Sequence, residues 1–327
     1  MKKIHLYFRS EPQKDRYVKG DRFLISVIKK LIRRKKTSGV KKVFLNLCKG
    51  FDQLKVDYDI NLPFKKIKPE EPVIVLGNGR YALEGYKQHN PVIAGIGLMT
   101  HPSEWPELCK EYPVVKYLQH SDWTRNIYSP WYGAERCELW PAGIDTEKWS
   151  PSVQSTKRFD LLVYNKIMWS KPQTDDDLRL PVLKKIEELG LSCREIIYGQ
   201  YQEKEFHSLL QQCKGMIFLC EHESQGFAIC EALAMNVPVF AWDQGFWLDP
   251  NRFEWDELNP VPASSVPYFD DRCGMRFKDF ESFEKTFAAF WEGVKNKSFS
   301  PRDYILENLT LEKSAQRMLQ IIEGVYK

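Results

Sequence analysis

Residues 221–241 read EHESQGFAICEALAMNVPVFA, and two carboxylates, Glu223 and Glu231, flank a glycine there. The stretch before it, GMIFLC, is an unbroken apolar run of the kind a strand buried on both faces needs, and VPVFA is another. Between them FAICEALAM has its apolar residues spaced for a helix packed on a sheet. A strand, a tight turn at Gly226, a helix and a strand make one right-handed crossover unit. In open α/β sheets ligands sit beyond the carboxyl ends of the strands, against helix N-termini. Glu223 falls at such a strand end, and Glu231 lies early enough in the helix to point back toward its start. Two acceptors beside backbone N–H donors suit a polyhydroxylated ligand that carries a phosphate.

Working outward, the same alternation fills the chain. Before residue 141 the expected strands are IHLYF, KKVFLNL, PVIVLG, PVIAGIG and VVKYLQ. After WPAGIDTEKWSP it restarts with FDLLVYN, the helix DDLRLPVLKKIEELG, CREIIYG, the helix EKEFHSLLQQC, GMIFLC, the Glu-bearing helix, VPVFAWD and SSVPYFD. Two successive sets of strand–helix units predict an α/β protein of two doubly wound, Rossmann-like domains with parallel sheets, residues 1–145 and 146–327. The closing SPRDYILENLTLEKSAQRMLQIIEGVYK is amphipathic and helical, and is expected to pack back on the first domain.

Composition removes several classes. The 327 residues exceed one ordinary core, and 43% hydrophobic with 13% aromatic residues is enough for packed interiors. A net charge of +4 is too mild to indicate nucleic acid. The opening apolar run is too short for a signal peptide, and no stretch is long and apolar enough to cross a bilayer. The eight cysteines form no C-x-x-C pair, so they are expected to be reduced thiols of a cytoplasmic protein, without a zinc site or disulfide frame.

The motifs together resemble the retaining nucleotide-sugar glycosyltransferases of the GT-B fold, glycosyltransferase family 4. ESQGFAICEALAMNVPVFA is similar to that family's two glutamates with seven residues between them, followed by Glu-Ala, a small residue and then Pro-Val. WPAGIDTEKWSP resembles its interdomain segment, and VYNKIMWSK its basic pair after the first strand of the second domain. KGDRFLISVIKKL resembles, more weakly, its Gly-rich turn and helix. The chain departs from the pattern at Lys19 for a glycine, Lys166 for an arginine, Gln225 for an aromatic and Asn236 for a glycine. Lys166 keeps the charge and loses the bidentate fork.

The resemblance implies two domains facing across a cleft, with the donor on the second and the acceptor on the first. It implies transfer of a hexose from a UDP- or GDP-sugar to a hydroxyl of a glycan or lipid-linked acceptor, with retention and without a metal or other cofactor. By the same token Glu231 would accept from the ribose hydroxyls and Glu223 would contact the transferred sugar. Gly226, Phe227 and Ala228 would offer backbone N–H groups to sugar and phosphate, and Gly20 would let backbone approach the diphosphate. Lys166 and Lys171 would neutralise the leaving diphosphate, where fixed cations lower the barrier as charge develops. His101 would line the sugar site, with His120 as competitor.

Other features are open to two readings. TDDDL at 174–178 suits a metal or a helix start, and capping of a first turn is the expected role. The basic stretch 23–42 fits either peripheral contact with an anionic membrane or a solvated helix face. Trp242 and Trp247 fit either a stacking surface or core. An epimerase or phosphorylase of the same fold, or a non-catalytic nucleotide-sugar binder, are the competing functions. GNGR at 77–80 is a poor dinucleotide fingerprint, which sets a dehydrogenase aside.

Overall fold

A computed structural model describes residues 2–9, 38–152 and 156–326. Gly20 and most of the basic stretch 23–42 lie outside these residues. The chain divides into two compact units. One combines Met1–Gln119, Ile127–Glu138 and Ala315–Lys327; the other combines His120–Asn126 and Leu139–Ser314.

The first unit is built on a six-stranded sheet of β1 (Ile4–Tyr7), β2 (Tyr58–Ile60), β3 (Val73–Val75), β4 (Val92–Gly95), β5 (Val114–Gln119) and β6 (Cys137–Leu139), in the order β2-β1-β3-β4-β5-β6. β1 to β5 pair in parallel. KKVFLNL, expected as a strand, is instead the middle of helix α1 (Gly39–Gln53). Its apolar residues are not consecutive strand positions: Val43, Phe44, Leu47, Cys48 and Phe51 are buried at the spacing of one helical face. Ser38 starts the helix by accepting from the Lys41 N–H at 3.3 Å. Helices α2 (Leu108–Glu111) and α3 (Asp122–Tyr132) follow. Near the other end of the chain, the Tyr326 hydroxyl accepts from the Val73 N–H at 3.0 Å and donates to the Pro91 carbonyl. It joins the residues leading into β3 and β4.

The second unit carries a five-stranded sheet of β7 (Phe159–Lys166), β8 (Cys193–Ile197), β9 (Cys213–Cys220), β10 (Val239–Trp242) and β11 (Gly274–Phe277). Its order is β11-β10-β9-β7-β8 and every pair is parallel. The connecting helices are α4 (Lys171–Thr174), α5 (Leu180–Glu188), α6 (Glu203–Gln212), α7 (Phe227–Ala234) and α8 (Phe280–Lys295), followed by α9 (Pro301–Asn308); the last helix, α10 (Leu311–Val325), belongs to the first unit from Ala315 on. The continuous apolar strands are explained by burial on both sides. Leu162 and Tyr164 of β7 pack with α6 and α7 through Phe206, Leu210, Cys230 and Leu233. Their neighbours Leu161 and Val163 pack with α5 and α8 through Val182, Ile186, Phe283 and Phe290.

Two expectations are corrected here. SSVPYFD is a loop, not a strand, and the sheet ends instead in β11. Pro267 cannot donate to a ladder, and the loop is tied by Ser265, whose hydroxyl donates to the Trp242 carbonyl at 2.6 Å and whose N–H donates to Asp243 at 2.9 Å. The acids of TDDDL do not cap a helix start. Lys171 and Pro172 begin the helical run, so Asp175, Asp176 and Asp177 sit within it, in a π-helical turn Asp175–Arg179. Asp175 lies 3.7 Å from Arg179 there.

Candidate functional site at the ends of β7 and β9

The chain runs from β7 to β8 on one side and then returns past β7 to β9 on the other. The strand order therefore reverses between β7 and β9, the point at which an open α/β sheet leaves a crevice at its carboxyl edge. Lys166 is the last residue of β7 and pairs in register with Cys220, the last of β9. Glu221, His222 and Glu223 follow directly.

Lys166 and Glu223, named from sequence, meet there. The Lys166 Nζ donates to Glu223 Oε1 at 2.5 Å, with side chains 18% and 14% exposed. The ammonium also lies 4.6 Å from the centre of the Tyr198 ring. Burial works against the charge on Lys166, but the Glu223 carboxylate overrides it and holds the proton more firmly than in an ordinary lysine. The main chain of Glu223 is fixed on both sides: its N–H donates to the Ser264 carbonyl, and its carbonyl accepts from the Trp123 indole, each at 2.9 Å.

Gly226 turns the chain into α7 with φ +81°, in the left-handed region. A Cβ there would stand 2.8 Å from Ile229 and 3.2 Å from the Glu223 side chain. Only glycine gives the turn that starts the helix against Glu223, and no side chain caps it. Phe227 and Ala228 are the first two helical residues, both half-buried. Glu231 lies one turn further in and is buried, 4% exposed. It faces Tyr201, whose phenol is pushed up to about 12, by burial first and by this carboxylate in addition. The Tyr201 and Tyr164 hydroxyls are 2.7 Å apart.

Glu221 was not singled out from sequence, although an acid closing an apolar strand was the available signal. It is 1% exposed. Its Oε1 accepts from the N–H groups of Met168 at 2.8 Å and Trp169 at 3.0 Å, while Oε2 is buried with no hydrogen-bond partner among the described residues. Burial pushes its carboxyl above the usual range. His222 stacks on Trp169 with centroids 4.9 Å apart and meets Trp123 edge-on at 5.6 Å. Burial and then the Lys166 charge lower its imidazole to about 3, so it is neutral.

No protein-family model matches this sequence, and no curated protein matches it. Solved structures do. HepE from Anabaena, solved with UDP bound, is 12% identical, with 99% of this chain and all of that one covered and a TM-score of 0.56. The lipopolysaccharide outer core galactosyltransferase WaaB is 8% identical, with 99% and 100% covered and a TM-score of 0.52. Sucrose-phosphate synthase from Thermosynechococcus elongatus is 10% identical, with 100% and 99% covered and a TM-score of 0.52. The fold is GT-B.

Within this GT-B chain the remaining expected residues are placed as follows. Lys171 is exposed at the first position of α4, and its charge helps hold the Glu195 carboxyl below the usual range. Burial opposes that shift, and hydrogen bonds from Arg179 and Asn165 outweigh it. His101 is fully buried in the first unit; its Nδ1 accepts from the Ser103 N–H and lies 2.8 Å from the Ser103 hydroxyl at the start of a 3-10 turn. His120 is buried, its Nδ1 donating to the Trp140 carbonyl at 3.2 Å and its pKa lowered by burial to about 4. Trp242 and Trp247 are core, 7% and 6% exposed; the first donates to the Lys278 carbonyl and the second stacks on Trp255.

Two of the departures from the resembled pattern, Gln225 and Asn236, have structural roles. The Gln225 amide makes two bonds to Ala142, donating to its carbonyl at 2.6 Å and accepting from its N–H at 2.7 Å. Asn236 adopts φ +57°, a conformation asparagine tolerates, and accepts from the Arg302 N–H at 3.3 Å. The Arg302 guanidinium donates to the carbonyls of Thr146, Trp149 and Ala234. Together they fasten residues 142–149 to both ends of α7.

Proposed function

We propose that the protein is a retaining, metal-independent glycosyltransferase that moves a hexose from a UDP- or GDP-sugar to a hydroxyl of a glycan or lipid-linked acceptor, in the cytoplasm. The observation that carries this reading is the Lys166–Glu223 pair at the switch point between β7 and β9, beside the Gly226-led start of α7. A cation and a carboxylate, half-screened from water beside helix N–H groups, match the two ends of an activated sugar, its phosphates and its hydroxyls.

In this reading the diphosphate takes Lys166 from Glu223, and Glu223 turns to the sugar hydroxyls. Glu231 accepts from the ribose diol, for which a carboxylate has two oxygens suitably spaced. Lys166 and Lys171 stabilise the negative charge that grows on the leaving diphosphate as the C1–O bond breaks. The acceptor oxygen forms its new bond on the same face, and its proton passes to the leaving phosphate. The lysines supply the positive charge, so no metal is required. The UDP bound in HepE, in a second structure together with glucose, supports the nucleotide half of the reading. The free cysteines among the described residues fit a reducing compartment.

A panel of nucleotides and nucleotide sugars tests it by thermal shift and by transfer. Selective stabilisation by one nucleoside diphosphate, with hexose transfer or slow donor hydrolysis that Lys166→Ala and Glu231→Ala each suppress, supports the reading. Binding without turnover identifies a non-catalytic relative instead. Epimerised or phosphorolysed product would move the assignment to another reaction on the same fold.

A further inference from the structure

The two lysines that grip the diphosphate in the proposed reaction stand on either side of a short connection, residues 167–170. That connection is held in an unusual way. Ser170 is in the left-handed region, φ +44°, without being a glycine, and its carbonyl accepts from the Thr174 N–H at 3.0 Å and the Thr174 hydroxyl at 3.1 Å. A non-glycine residue in that conformation persists when its surroundings over-determine it. The Ile167 N–H donates to the Asn165 side chain at 3.1 Å. The next two N–H groups, of Met168 and Trp169, both converge on Oε1 of Glu221. One buried carboxyl oxygen from the end of β9 thus takes two consecutive backbone donors from the connection that carries Lys166 and Lys171.

The rest of Glu221 is held as firmly. It is 1% exposed, and its own carbonyl accepts from the Gln244 amide at 3.4 Å. Trp169, whose N–H it holds, is the ring on which His222 stacks. A carboxyl this deeply buried with one oxygen unpartnered is expensive for a stabilising contact alone.

We infer that Glu221 is a positioning residue for diphosphate recognition: by accepting from the Met168 and Trp169 N–H groups it fixes the connection between Lys166 and Lys171, and so sets where the two cations stand. Glu221 does not itself touch the diphosphate. The inference rests on the glycosyltransferase reading, and it concerns only the phosphate end of the donor.

The test separates placement of an acceptor from charge and from general stability. Isothermal titration of UDP, UMP, GDP, GMP and inorganic pyrophosphate is run on the full chain, on Glu221→Gln, Glu221→Asp and Glu221→Ala, alongside urea midpoints. Gln keeps an acceptor oxygen at the same reach and loses the charge; Asp keeps the charge and is one methylene too short. The expected result is that Gln binds the preferred diphosphate within about threefold of the parent chain. Asp and Ala lose about tenfold or more for the diphosphate and for pyrophosphate, with the monophosphate changed less than about twofold. Should Ala fail to fold, the Gln and Asp variants decide. Asp binding like the parent, Gln losing as much as Asp, or di- and monophosphate weakening in the same proportion overturns the inference and leaves the functional reading in place. A parent chain that binds none of these nucleotides overturns both.

Discussion

Two polar residues beyond parallel strands, one in each unit, are held in different ways. After β4 the first unit places His101, and after β9 the second places Glu223. Both were expected at the site from the family resemblance, and Glu223 also as a polar side chain just beyond the carboxyl end of an apolar strand. The His101 ring is fully buried, and its Nδ1 lies 2.8 Å from the Ser103 hydroxyl two residues on. Glu223 is fastened through its main chain, by Ser264 and Trp123, and its partly exposed side chain pairs with Lys166 at 2.5 Å and accepts more weakly from the Cys220 thiol at 3.9 Å. A charge pair at a sheet edge can exchange partners with an incoming ion; a histidine closed into a cap cannot without opening the turn.

The variants that would break this contrast differ in size of effect. Lys166→Ala is expected to lower sugar transfer about 10²- to 10³-fold, the usual loss for one fixed group facing developing charge, with the secondary structure unchanged by circular dichroism. Transfer at the parent rate would show that the ion pair is only a strut. Gly226→Ala comes next. With φ +81° and a Cβ at 2.8 Å from Ile229, it is expected to destabilise the second unit by about 1–3 kcal/mol in urea unfolding and to weaken nucleotide binding with it.

The pH dependence sharpens the comparison from the side of the buried histidine His120. Its folded pKa of about 4 lies below the ordinary 6.5, so the folded state refuses a proton that the unfolded chain takes up. Its contribution is complete above about pH 6.5 and is lost as pH falls toward 4, on the order of 3 kcal/mol across that window. His120→Gln is expected to flatten that part of the stability curve. The smallest effect belongs to His101→Gln: a loss of about 1 kcal/mol from the weakened cap, with transfer within about threefold of the parent. A collapse of transfer with unchanged stability would return His101 to the site.

The crossover β9–α7–β10 was readable in the sequence because its signals are local and agree: continuous apolar strands, a glycine where φ is positive, and a helical apolar face. The same is true of β7 and β8. KKVFLNL misled because a short apolar run after two lysines also fits a strand, and the helical face emerges only when Cys48 and Phe51 are included. β2, β6 and β11 are three or four residues long, too short for a period to show. Lys166 and Glu223 were found through a motif, but that they touch depends on β9 lying beside β7, which the order of elements does not state. Glu221 was missed because its partners, Met168 and Trp169, are more than fifty residues away and contribute only backbone. The three aspartates misled because the helical run begins earlier, at Lys171.

Arg302 and Tyr326 give the polypeptide an awkward order of assembly. During synthesis the segments around α7 gain the Arg302 hydrogen bonds only once residue 302 has left the ribosome, and the first sheet gains the Tyr326 hydrogen bonds only after residue 326. Residues 142–149 and the strands β3 and β4 are thus completed by segments made long after them, and losing residue 302 or residue 326 is expected to loosen those earlier segments.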